Sequence, residues 1–241
     1  MILEKAIFKV GGSILEHPNY LKNTISQIQL LVQEKLIQTV IIISGGGSYA
    51  NFIRDLDKQL EIGSTMAHWM AIYAMDYNGT KIWQQYPSIK LTNNFEELKK
   101  TDYQISIFLP LNYLKELDPL PHSWDVTSDA ITLFLTHKLQ LEQSFLIKDV
   151  DGIIDQHNEI LKTLSSSTYS HMKESGLLAN IGSIEREIKK SKPIDNYSLE
   201  IINSYNLSCI LLNGAVNDLR IYQYFASTNE SDKIYTKIAS D

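Results

Sequence analysis

Four short stretches of this 241-residue chain carry side chains and turns suited to handling phosphate. The first is Lys9-Val10-Gly11-Gly12-Ser13, a lysine followed by a Gly-Gly-Ser turn ahead of a helical pattern. Glycines let backbone approach a ligand closely, and amides at a helix start favour anions. Lys9 adds a movable positive charge at the same place. The second stretch, Ser44-Gly45-Gly46-Gly47-Ser48, repeats the turn without the lysine. The third, Thr127-Ser128-Asp129, sets a carboxylate at a helix start, with Thr127 or Ser128 as the N-cap. The fourth, Lys148-Asp149-Val150-Asp151-Gly152, surrounds a glycine turn with charge. None completes a Walker-A pattern. One glycine turn is ordinary strand-to-helix punctuation; two of the same design point to a phosphate cradle.

Such turns act together only if a scaffold brings them to one edge. Ala6-Ile7-Phe8 and Val40-Ile41-Ile42-Ile43 are apolar runs of the kind found in strands covered on both faces. Leu21, Ile25, Ile28, Val32 and Leu36 recur at helical spacing after Pro18, and Ala50, Ile53, Leu56 and Leu60 after the second turn. Strand, glycine turn, helix, twice over, predicts a parallel sheet with helices on both sides. A helix is expected over 64–83, where the spacing of Met66, Met70, Tyr73 and Tyr77 suggests a core stripe or the wall of a pocket. Strands are expected over 104–109, 144–148 and 209–212, and an edge strand over 233–238. Helices are expected over 197–205 and 217–225. The residues from Ser165 onward form a polar stretch of weak periodicity. No repeat, linker or boundary divides the chain, so it reads as one doubly wound domain, 1–241, binding its ligand at the carboxyl ends of the strands.

Composition narrows the class. Hydrophobic residues are 44% and charged residues 21%, ordinary for a globular protein. A net charge of −6 argues against nucleic acid or acidic membranes as partners. The single cysteine, Cys209, lies in an apolar run and reads as a small buried side chain in a reducing compartment. No signal segment or bilayer-length apolar run stands out, so a cytoplasmic location is expected.

Taken together and in this order, the four stretches resemble the amino acid kinase superfamily, which includes acetylglutamate, uridylate and isopentenyl phosphate kinases. The resemblance implies an open αβα sandwich with a mostly parallel central sheet. It also implies transfer from ATP, with Mg2+, to a carboxylate, carbamate or phosphate oxygen. On it, Lys9 stabilises charge on the transferring group and Asp129 organises the catalytic lysines. Gly11, Gly12, Gly45 and Gly46 cradle phosphate and acceptor, with Ser13 and Gly47 in the same turns. Lys148, Asp149, Asp151 and Gly152 fall in the turn that holds the nucleotide. A homodimer or higher homo-oligomer is implied as well. Many relatives carry a Gly-Gly-Met segment and a second catalytic lysine in the region matching 165–195. This chain lacks that signature, and Lys173, Lys189, Lys190 and Lys192 are equivalent candidates by spacing.

The acceptor is suggested by finer likeness. The stretch from Pro121 to Asp129, with Ala67-His68-Trp69-Met70-Ala71, resembles a subgroup from archaea and one-carbon-metabolising bacteria. Its best-known activity phosphorylates an aminomethyl-furanmethyl phosphate to the diphosphate, toward methanofuran. On that likeness His68, Trp124, Asp125, Thr127 and Ser128 line the acceptor pocket, with Trp124 stacking on a flat ring and Asp125 facing an ammonium. The alternatives are a kinase for isopentenyl phosphate or a nucleoside monophosphate, and a non-catalytic nucleotide or oxyanion binder of the same fold.

Overall fold

The computed structural model describes residues 2–100, 103–179 and 194–241. Its eight described strands form one sheet in the order β3-β4-β2-β1-β5-β7-β8-β6. Along the chain, β1 (Leu3–Val10) leads through α1 (Gly12–Leu15) and α2 (Pro18–Gln33) to β2 (Ile37–Ser44). Next come α3 (Gly47–Leu60), α4 (Ser64–Gln85), β3 (Lys90–Thr92), α5 (Phe95–Lys99) and β4 (Ile105–Phe108). Then follow α6 (Leu111–Leu117), α7 (Ser128–Lys138), β5 (Gln143–Lys148), β6 (Thr163–Ser165) and α8 (Ser166–Glu174). The chain closes with α9 (Asn196–Tyr205), β7 (Ser208–Asn213), α10 (Arg220–Ala226), a 3-10 turn (Glu230–Asp232) and β8 (Thr236–Ala239).

The central strands pair in parallel, β2 and β5 flanking β1. Strand alternation splits the core between two faces: Ile7 and Leu146 lie in one cluster, while Phe8, Val10, Phe145 and Ile147 lie in the other. The first cluster packs against α7 and α9, the second against α2 and α10. Cys209 is fully buried in the first, as its apolar run suggests.

Three expectations need correction. The 233–238 segment is not an edge strand, because β8 is antiparallel to β7 and also pairs with β6, which takes the edge. The polar stretch after Ser165 opens with a helix, α8, whose N-cap Ser165 accepts from the Thr168 amide. The Met and Tyr stripe of α4 is not core: Met66, Tyr73 and Tyr77 are exposed, and the buried face is Ala67, His68, Ile72, Ala74, Met75, Asn78, Gly79 and Ile82. The second half of that expectation does hold, since the buried face of α4 walls the cleft described below. α10 also starts later than expected, at Arg220, whose amide donates to Asp218 Oδ1 at 3.1 Å.

Candidate active site

A cleft of about 580 Å³ opens at the carboxyl ends of β1, β2 and β5. Its floor is the two glycine turns, which pack backbone to backbone. A Cβ added to Gly12 would lie 2.6 Å from the Gly47 Cα, and Gly47 itself holds φ +55°, so neither position accommodates a side chain. Gly12, Gly46 and Gly47 line the cleft, while Gly11 and Gly45 lie behind it, pairing with Ile147 O and Val10 O. Asn78 on α4 ties the second turn down by donating to Gly45 O at 2.8 Å. Ser13, half-buried in α1, is not among the lining residues.

Side-chain alternation puts the charged groups here. Lys9 is two residues beyond Ile7 and Lys148 two beyond Leu146, so both face the side on which α7 packs. The first turn of α7 meets them with Asp129. Lys9 Nζ is 2.7 Å from Asp129 Oδ1, an ion pair without the alignment of a directed hydrogen bond, and Lys148 Nζ hydrogen-bonds Oδ2. Lys9 and Asp129 are buried, each about 5% exposed or less. Burial pushes Lys9 below its usual range against the pull of Asp129. For Asp129 burial acts upward, but the charges of Lys148 and Lys9, with the hydrogen bond from Lys148, outweigh it and hold the carboxyl at about 2. Sequence reasoning placed Lys148 in the nucleotide turn; the structure joins it to Asp129 as the second lysine. Of the candidates for that place, Lys173 donates to Asn196 Oδ1 at 2.6 Å, and Lys189, Lys190 and Lys192 lie outside the described residues.

The helix that carries Asp129 is itself held. Thr127 is the N-cap of α7, its Oγ1 accepting from the Asp129 amide at 3.1 Å. That hydroxyl donates to Asp195 Oδ2 at 2.5 Å, and Ser198 donates to the same carboxylate through its hydroxyl and its amide. Asp195 is raised above the usual carboxylate range, first by burial and then by the charge of Asp129. Neither Asp195 nor Asn78 stood out in the sequence, because a lone Asp before a helix and a lone Asn within one have no local signature.

At the far end lie the residues expected to meet the acceptor. His68, Trp124, Asp125, Thr127 and Ser128 all line the cleft. His68 is buried and stacks on His122, with ring centroids 4.7 Å apart. Burial and then the neighbouring His122 lower it to about 4, so it is neutral at pH 7. Trp124 is more engaged than the sequence suggests: its Nε1 donates to Asp57 at 2.8 Å, and the Arg54 guanidinium sits 4.7 Å from its ring centroid. Asp125 is exposed, its Oδ2 accepting from Ser123 Oγ at 3.3 Å. Beyond Lys148, the expected nucleotide turn does not line this cleft. Asp149 is exposed, Gly152 is buried against Thr236, and Asp151 pairs with Arg220 and accepts from Asn213 Nδ2 at 2.6 Å.

A buried and a half-buried lysine on one carboxylate, above a floor of glycine backbone, make a site that can neutralise a transferring phosphoryl group. The family model for the amino acid kinase family matches residues 4–213. This chain belongs to that family. A (5-(aminomethyl)furan-3-yl)methyl phosphate kinase of Methanocaldococcus jannaschii is 32% identical over 152 residues, 62% of this chain and 68% of that protein. The fold is that of solved UMP kinases. The Ureaplasma parvum enzyme gives a TM-score of 0.66 at 15% identity, covering 100% of this chain and 97% of that one. The Archaeoglobus fulgidus uridylate kinase gives 0.66 at 17%, covering 98% and 100%. The family member described here is an ATP-dependent kinase, and no described helix is long and apolar enough to cross a membrane.

Proposed function

We propose that this kinase transfers the γ-phosphoryl group of ATP to the phosphate oxygen of (5-(aminomethyl)furan-3-yl)methyl phosphate, giving the diphosphate and ADP. The observation that carries the reading is the Lys9–Asp129–Lys148 cluster at the glycine floor. In the step, an acceptor phosphate oxygen forms the new bond to Pγ as the bond from Pγ to the ADP oxygen breaks. No proton need leave the acceptor, so no general base is required. The protein's part is positioning and charge stabilisation. Gly12, Gly46 and Gly47 admit phosphate against backbone, while Lys9 and Lys148, aimed by Asp129, offset charge on the equatorial oxygens. Thr127, clamped to Asp195, fixes the helix that aims them.

Among the described residues no group of three or more His, Cys, Asp or Glu side chains is placed to hold a metal. Asp129 and Asp195 are both committed to protein partners. That donor set fits magnesium arriving with the nucleotide phosphates, which it would bridge and partly neutralise. At the acceptor end, Asp125 supplies an exposed carboxylate for an ammonium, and neutral His68 and the Trp124 edge supply flat surfaces for the ring. The 32% identical relative named for this acceptor supports the reading.

We read the chain as one domain acting in the cytoplasm as a homo-oligomer. The exposed Phe52, Met66, Tyr73 and Tyr77 on α3 and α4 are the apolar surface that would pack between copies. The test of the function is ADP release with MgATP and each of three acceptors: the aminomethyl-furan phosphate, isopentenyl phosphate and UMP. Release should be greatest by far with the first. Preference for either of the others reassigns the acceptor, and tight nucleotide binding without release for any phosphate defeats the kinase reading of this site.

A further inference from the structure

We infer that Arg54 is the anchor for the acceptor's own phosphate, and that Trp124 and Asp57 exist in the site to hold it there; this rests on the proposed reading of the acceptor as a phosphate monoester. Among the described residues three cations line the cleft, Lys9, Lys148 and Arg54, with His68 neutral. Two of them share Asp129, so the cluster carries a net charge of only 2 − 1 = +1. The reaction sets a second phosphate, itself carrying about −1.5 to −2 at pH 7, against the nucleotide's. Like charges at that distance repel strongly in a partly desolvated cleft. A cation is therefore needed on the acceptor side, separate from the pair that serves the transferring group.

Arg54 meets that need by position and by its surroundings. It lies on α3, the helix that begins at Gly47 of the glycine floor, and lines the cleft together with Ala50 and Asn51 one turn before it. Its guanidinium rests over the Trp124 ring, 4.7 Å from the centroid. Among the described residues it has no carboxylate partner and no hydrogen bond. One turn further along its helix, Asp57 has both oxygens engaged: Oδ2 accepts from Trp124 Nε1 at 2.8 Å, and Oδ1 from the Gly63 amide at 3.2 Å. Asp57 thus orients the indole, the indole stacks the guanidinium, and the fork of N–H donors is left for a ligand. Planar stacking pre-organises an arginine, so less freedom is lost when it grips a tetrahedral anion through two parallel hydrogen bonds. Trp124 is on this account the platform for Arg54, and the face under the guanidinium is closed to the acceptor ring.

The experiment compares the aminomethyl-furanmethyl phosphate with its parent alcohol, which lacks the phosphate, by calorimetric titration of the full chain with a non-hydrolysable ATP analogue and magnesium present. Wild type should favour the phosphate strongly. Arg54→Ala should weaken phosphate binding about 30-fold, the ~2 kcal/mol lower end for truncating one partner of a desolvated charge pair, and leave the alcohol and the nucleotide analogue unchanged. Arg54→Lys should recover only part of the loss, because a point charge lacks the fork. Trp124→Phe, which removes the bond to Asp57 but keeps a ring, should raise KM for the phosphate with kcat nearly preserved. An Arg54→Ala variant that keeps the wild-type preference for phosphate over alcohol, while wild type turns the phosphate over, overturns the anchor alone. A wild type that binds nucleotide but no phosphate monoester overturns the acceptor reading and the anchor together.

Discussion

Replacing Asp129 by asparagine removes the one charge that reconciles the ammonium groups of buried Lys9 and half-buried Lys148, and its effect on stability follows from titration. The Asp129 carboxyl is held at about 2 in the fold, against an ordinary 3.8. A carboxyl depressed by folding contributes stability that is complete above its unfolded value and is lost as pH falls through the folded one. The difference, roughly two pH units, corresponds to about 2–3 kcal/mol. Asp129→Asn should therefore be about 2–3 kcal/mol less stable than wild type at pH 7, a fall in Tm of roughly 5–10 °C for a chain of this size. The gap should hold from pH 7 to about pH 4 and close as pH approaches 2. Urea titrations across that range give the profile directly. A second cycle with Lys148→Met sharpens the test, since Asp129→Asn alone leaves two cations side by side, whereas the double variant leaves only Lys9. The double variant should be less destabilised than the sum of the singles. Turnover in Asp129→Asn should fall roughly 10²–10³-fold, because the lysines lose their aim at the transferring group. A pH-independent stability difference, or strict additivity with Lys148→Met, would show that Asp129 is not coupled to the lysines as described.

Two further outcomes test the floor and the acceptor end. Gly12→Ala should abolish turnover and lower Tm, because its Cβ would lie 2.6 Å from the Gly47 Cα and force the two turns apart; an active, equally stable variant would show that the turns do not need this contact. Asp125→Asn should raise KM for the aminomethyl-furan phosphate while leaving that for ATP nearly unchanged; an effect confined to ATP would move Asp125 out of the acceptor end.

The parts of this molecule that were legible in the sequence are those with a local physical signature. Continuous β-branched runs marked the buried strands, paired glycine turns marked a place for close backbone approach, and Thr127 or Ser128 marked a helix cap, which the structure resolves to Thr127. What the sequence concealed depends on pairings over long separations. Arg54 has no local signature on its helix, and its place comes from Trp124, 70 residues on, whose ring lies beneath its guanidinium. Asp195 acquires meaning only from Thr127, and Asn78 only from the Gly45 carbonyl. The stripe of α4 misled because aromatic and methionine spacing reports a shared face without saying what covers it. His68, on the opposite face, is the side that packs inward.

The second lysine shows how register decides chemistry. Lys9 pairs in register with Leu146 across β1 and β5, which leaves Lys148 one full alternation further along the neighbouring strand, on the same face and beyond the last buried layer. A shift of one residue in either strand would turn its lysine toward α2 and α10 and away from Asp129. The apolar run Phe145-Leu146-Ile147 fixes that register, because Phe145 and Ile147 must enter one core cluster and Leu146 the other. The same alternation that buries the strand therefore aims its final residue. Lys148 pairs with Asn213 of β7, and Ile147 just before it pairs with Val10 of β1, so the sheet itself positions the lysine. On the proposed reading, Lys148 takes the place of the second lysine among the described residues. The same register gives Asp129 its double duty, since one carboxylate at the start of α7 can reach both strands only where they lie side by side.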